Sequence, residues 1–147
     1  MSVEDNKAVV RRSVEQGENR ADLAVLEDCY ATHYVHHDPA NPAVRDWPGL
    51  KEALRGYFAA FPDGQVVIDD LIAEDDKVVK RWTTRGTHQG EFAGIPATGK
   101  QITYTGTVTC RLAGGKIVEA WWNYDLFGML QQLAVIPAPA EPAAATA

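Results

Sequence analysis

The hydrophobic period of this chain changes once, near residue 62, and that change limits the folds open to it. Before it, apolar residues recur every three or four positions, as on one face of a helix. After it, β-branched and aromatic residues run in stretches that suit strands. Ser2 with Asp5 three residues later makes a capping-box-like start, Val3, Val10 and Val14 form one stripe, and Gly17 is placed to stop the helix. A second helix is predicted after Asn19, burying Leu23, Leu26 and Tyr30. A third follows Pro48, a favourable early helix position, with Leu50, Leu54, Tyr57, Phe58 and Phe61 on one face and Pro62-Asp63-Gly64 closing it.

The second half reads as two long antiparallel hairpins. "QVVIDDLIAEDD" pairs with "KVVKRWTTRGTH" across an acidic turn, and "KQITYTGTVTCRL" pairs with "KIVEAWWNYD" across Ala113-Gly114-Gly115-Lys116. Helices grouped before antiparallel strands predict an α+β domain in which the helices cover one face of the sheet. With Gly114 and Gly115 as the central turn residues, Leu112 stands opposite Ile117, Cys110 opposite Glu119, Val108 opposite Trp121 and Tyr104 opposite Asp125. Alternation then places Tyr104, Gly106, Glu119, Trp121, Asn123 and Asp125 on one side. On the preceding strand it separates Trp82, Thr84, Gly86 and His88, the candidate interior set, from a solvated set of Arg81, Thr83 and Arg85.

At 147 residues the chain has the size of one domain able to bury a core around a small cavity. A single domain over residues 1–137 is expected, followed by a disordered Pro/Ala-rich tail at 138–147. The net charge of −6 disfavours nucleic acid or an anionic membrane as partner. Cys29 and Cys110 form no CxxC or Cys/His pattern, which excludes a zinc site or disulfide scaffold. No signal-peptide pattern opens the chain and no apolar run approaches the ~20 residues of a membrane span, so a cytoplasmic location is expected.

Helices followed by a curved antiparallel sheet, with "GTHQGEFAGIPATGKQITYTG" and "GKIVEAWWNYDLFGMLQQL" near the end, resemble the SnoaL-like polyketide cyclase (ester cyclase) group of the NTF2-like superfamily. The resemblance spans roughly residues 5–136. It implies an NTF2-like cone: three N-terminal helices on a strongly curved antiparallel sheet enclosing a pocket. It also implies cofactor-free and metal-free chemistry on a small hydrophobic or aromatic molecule, an intramolecular aldol condensation, and a homodimer. Asp125, opening the "D..G.LQQL" motif, matches the family's acid/base aspartate, and "GTH.GEF.GIP.TGK" places His88 at the cavity.

The residues themselves give both readings of each candidate. Asp125 among Trp121, Trp122, Tyr124 and Phe127 suits a desolvated base, and it equally suits the N-cap of "LFGMLQQL". His88 could donate to a developing enolate oxygen or rest satisfied at a strand end. Trp82, Tyr104, Trp121 and Asn123 are candidate substrate contacts. In "HYVHHDPANP", the resemblance assigns a short strand with His37 near the cavity mouth, whereas His33 and His36 read as surface or packing residues. The same run looks like a metal cluster, but consecutive histidines point to different sides. The segment "QGEFAGIPATGK" suits a lip over the cavity or a passive connection. Its Gly94, Gly99 and Lys100 do not complete a phosphate loop, because Gln101 stands where Ser or Thr is needed. A non-catalytic small-molecule binder, or an epoxide hydrolase or isomerase in the same pocket, are the competing functions.

Overall fold

In the computed structural model, which describes residues 1–137, four helices pack on a five-stranded sheet that curls without closing. The predicted tail at 138–147 lies outside the described residues. Helix α1 (Val3–Arg12) starts at the Ser2/Asp5 capping box, both of whose reciprocal hydrogen bonds form. It buries Val10, and Val14 follows in a wider, π-helical turn (Ser13–Gly17), while Val3 is left exposed. Gly17 is needed for close approach: a Cβ there would sit 2.8 Å from the Leu26 side chain. Reversal falls four residues later at Ala21, which takes a left-handed backbone with φ 49°.

Helix α2 (Leu23–Cys29) is capped by Asp22 and stops one residue before Tyr30, which opens strand β1 (Tyr30–His37). Helix α3 (Trp47–Ala60) has Pro48 in its first turn and Asp46 as its cap. Strands β2 (Gln65–Glu74), β3 (Lys77–Thr87), β4 (Gln101–Ala113) and β5 (Lys116–Tyr124) form the two hairpins expected, and helix α4 (Leu126–Gln132) follows. The sheet order is β1-β5-β4-β3-β2, with β1 parallel to β5 and the other pairs antiparallel. Both cysteines are buried free thiols.

The register of the last hairpin differs from the one the turn predicts. Gly114 and Gly115 both take positive φ, and Leu112 pairs with Ile117 as expected. A bulge then intervenes, so that Arg111 faces Glu119, Cys110 faces Ala120, Val108 faces Trp122 and Gly106 faces Tyr124. The cause lies in two consecutive apolar residues, Ile117 and Val118, both of which are buried. A regular strand would turn one of them outward, and the bulge turns both in. Every residue beyond it changes face. Ala120, Trp122 and Tyr124 line the concave side, and Glu119, Trp121 and Asn123 lie on the outer one, contrary to the alternation expected for Trp121, Asn123 and Asp125.

Candidate functional site

The concave face encloses a cavity of about 170 Å³. Tyr57, Phe58 and Phe61 of α3, Trp82 and Tyr104 of the sheet, and Phe92 of the 89–100 segment give it apolar walls. Trp82 and Tyr104 are thus where alternation put them, ring edge to ring face at 5.6 Å. Gly106 makes that possible, because a Cβ there would lie 2.3 Å from the Trp82 ring. Tyr104 donates to the Tyr57 hydroxyl at 3.1 Å, and burial pushes Tyr57 up to about 12, so neither phenol ionises near neutrality.

Polar groups enter the cavity from the end of β1. Tyr34, His36 and Asp38 alternate inward while Val35 and His37 face out. Their hydrogen bonds form a directed chain. The Trp122 indole N–H can only donate, and it donates to the Tyr34 hydroxyl at 3.1 Å. The Tyr34 hydroxyl proton is therefore directed to His36 Nδ1, 2.8 Å away. With Nδ1 as acceptor, the network assigns the ring proton to Nε2, which faces Asp38 Oδ2 at 3.7 Å. That distance exceeds a direct hydrogen bond, so the Nε2–H remains free to reach a ligand oxygen.

Asp38 is held from three sides. Its Oδ1 accepts the Ala40 and Asn41 amides at 2.9 and 3.2 Å, an Asx-type turn set by the following Pro39-Ala40-Asn41. Its Oδ2 accepts the Tyr124 hydroxyl at 3.0 Å. Burial alone would raise its pKa, but the nearby His36 ring and the bonds from the Tyr124 hydroxyl and the Ala40 amide outweigh it and hold the carboxyl below its ordinary value. Burial in turn pushes the Tyr124 hydroxyl up, so it stays a donor. The side chains of His36 and Asp38 are 3% and 8% exposed. A His and a carboxylate therefore share one wall, although the sequence pointed to His37 and not His36.

A second polar pair was not singled out in the sequence, although the alternation that turns Trp82 inward carries Lys80 to the same face. Lys80 of β3 is 2% exposed and lines the cavity, with Nζ 5.3 Å from the centre of the Trp122 ring and 4.0 Å from Glu18 Oε1. Glu18 sits in a single 3-10 turn (Glu18–Arg20) between the first two helices.

The other candidates lie elsewhere. Asp125 is exposed, is not among the lining residues, and accepts the Gly128 amide at 2.9 Å as the cap of α4. The expectation of a desolvated carboxylate opposite Tyr104 fails with the register, since the bulge turns Tyr124 inward opposite Gly106, where the ladder ends, and leaves Asp125 outside the cavity. His88 is fully buried and stacks on Phe61 at 5.4 Å, but it does not line the cavity. Its Nδ1 accepts the Thr98 amide at 3.2 Å, and its backbone bonds Lys100 and Gly99, so it clamps the two ends of the 89–100 segment together. His37, on the outer face, stacks on Trp121 at 5.3 Å and bonds Glu119 at 2.7 Å. Asn123 is exposed beside Thr107. Among the described residues, no cluster of three or more His, Cys, Asp or Glu is arranged to hold a metal ion, and no helix is long and apolar enough to cross a membrane.

These features can be set against known proteins. A search of curated proteins finds no match. Among solved structures, AclR of Streptomyces galilaeus, a proposed hydroxylase, superposes with a TM-score of 0.86 at 29% identity over 95% of this chain and 87% of its own. TsrD of Streptomyces laurentii gives 0.84 at 27% identity, covering 92% of this chain and 99% of its own. IdmH of Streptomyces antibioticus, a proposed polyketide cyclase, gives 0.78 at 31% identity, covering 88% of this chain and 98% of its own. Residues 8–133 match the family described as SnoaL-like polyketide cyclase, and the chain belongs to that family.

Proposed function

We propose that this protein is a cofactor-independent cyclase that closes a ring by intramolecular aldol-type C–C bond formation on a hydrophobic or aromatic carbonyl compound. The observation that carries the reading is the His36–Asp38 pair, which presents one proton donor and one ionised acceptor to an aromatic-walled cavity. Asp38 takes the proton from a carbon between two carbonyl groups. His36 Nε2–H hydrogen-bonds the enolate oxygen that forms. The carbon attacks the second carbonyl, and the resulting alkoxide takes the proton back from Asp38. Product and substrate are isomers, and no electrons enter or leave.

Holding Asp38 below its ordinary pKa keeps it ionised at neutral pH and makes it a weak base. The substrate must then bring an already acidic C–H bond, as a β-keto ester does. Trp82 and Tyr104 are proposed as substrate contacts, and Asp125 as a helix cap outside the chemistry. A homodimer belongs to the same reading, and a monomer by light scattering at micromolar concentration would remove that part.

The test is conversion of aromatic β-keto esters carrying a ketone placed for six-membered ring closure, with dialysed protein in EDTA. The reading expects a product of unchanged mass, formed faster than in buffer and not by Asp38→Asn. Tight binding of the esters with no product would favour a non-catalytic binder.

A further inference from the structure

The Lys80–Glu18 pair lies in the same cavity and takes no part in the reaction above. Its geometry is unusual for a buried ion pair. At 4.0 Å the two groups are too far apart for a direct hydrogen bond, and the buried Glu18 Oε1 accepts no hydrogen bond from any described residue. A buried carboxylate oxygen without a donor is costly, and native folds rarely leave one without a reason. Lys80, for its part, offers three donors and is steadied on the Trp122 face.

The pair is also rigidly placed. Lys80 is in mid-strand, between Leu71 of β2 and Val108 of β4. The Glu18 turn is fastened to the start of β2 by its neighbour Asn19, whose side chain bonds the Val66 carbonyl at 2.9 Å and accepts the Val66 amide at 2.7 Å. Gln65 adds a bond to the Asn19 carbonyl at 3.1 Å. Side chains held this way suit a fixed recognition point.

We propose that Lys80 and Glu18 form a hydroxyl-reading subsite, in which one ligand hydroxyl, phenolic or enolic, accepts from Lys80 Nζ and donates to Glu18 Oε1. One oxygen about 2.8 Å from each atom fits their separation. A carbonyl or ether oxygen satisfies Lys80 and leaves Glu18 unpaired, and a carboxylate meets the Glu18 charge; only a group that both donates and accepts satisfies both. The Trp122 ring neighbours both groups, 5.3 Å from Lys80 Nζ and 5.7 Å from the His36 ring. The inference rests on the proposed cyclase only in taking the cavity as the substrate site.

Equilibrium dialysis of 2-naphthol, 2-methoxynaphthalene and naphthalene against wild-type protein tests it without turnover. The subsite predicts that 2-naphthol binds about tenfold more tightly than its methyl ether, the effect of one charge-assisted hydrogen bond. The ether and naphthalene should differ less. In the double variant Lys80→Met/Glu18→Met the naphthol preference should fall to within about twofold, and replacing both charges by apolar chains of similar length preserves folding. Equal binding of naphthol and its ether by the wild type, a preference that survives in the double variant, or no binding of any probe would overturn the subsite. Absence of ring closure with the preference intact removes the reaction and leaves the subsite; ring closure with no preference removes the subsite alone.

Discussion

Asp38 and Asp125 end neighbouring parallel strands, at the same edge of the sheet, and each follows an aromatic-rich stretch. Both carboxylates accept backbone amides of the turn that follows: Ala40 and Asn41 in one case, Gly128 in the other. They differ in where the rest of the carboxylate points. Asp38 keeps Oδ2 turned inward on Tyr124 and His36, with its side chain 8% exposed, whereas Asp125 is exposed outside the cavity. The residue type and the local turn chemistry are shared, and burial alone separates a candidate base from a cap. The bulge at Val118 is what decides it, because it sends Tyr124 inward to hold Asp38 and leaves Asp125 at the rim.

The comparison can be broken most sharply at Asp38 itself. Asp38→Asn is expected to lower ring-closure rate by about 10²–10⁴-fold, the usual range for a lost acid/base group, while Asp125→Asn stays within about twofold by the same assay. Next in size is Gly106→Ala, whose Cβ must displace the Trp82 ring. Overpacking there should destabilise the fold by about 1–3 kcal/mol in urea unfolding and disturb ligand binding. Tyr34→Phe removes the donor that fixes the His36 tautomer and the acceptor for Trp122, and should cut the rate about tenfold with substrate affinity little changed. Asp125→Ala removes only a cap, so unfolding should report a loss of about 1 kcal/mol and unchanged activity per folded molecule.

The smallest effect concerns pH. The folded-state pKa of Asp38 lies below its unfolded value, so as pH falls the unfolded chain takes up the proton first. The stabilisation is therefore present above the unfolded value, about 3.9, and disappears as pH falls through the lower folded one. Denaturation curves of wild type and Asp38→Asn should converge in that acid window and separate above it.

Much of the fold could be read from periodicity. The capping box at Ser2, Pro48 at the start of α3, both hairpins and the inward set of β3 all follow from local chemistry that tertiary packing did not override. Strand β1 was readable only through family resemblance, because "YATHYVHH" continues α2 without a Gly or Pro break. The candidate carboxylate was read one strand away from the polar wall that the cavity presents. A two-residue turn fixes register only until the first bulge, and the adjacent Ile117 and Val118 were the signal that one was coming. Asp125 and His88 were singled out by family motifs, whereas the cavity presents Asp38 and His36; the register slip accounts only for the inward side given to Asp125. Lys80 shares the parity of Trp82, so alternation already turned it inward; a lysine there still reads as solvated until the Glu18 turn is seen to close over it.

The most direct measurement is proton-to-deuterium exchange at the acidic carbon of aromatic β-keto esters, followed by NMR in heavy water for wild type, Asp38→Asn and Asp125→Asn. It reports proton abstraction even where ring closure is impossible. Exchange that vanishes in Asp38→Asn and persists in Asp125→Asn is the result this account expects. Exchange that survives in Asp38→Asn and vanishes in Asp125→Asn would contradict it and return the chemistry to the end of β5.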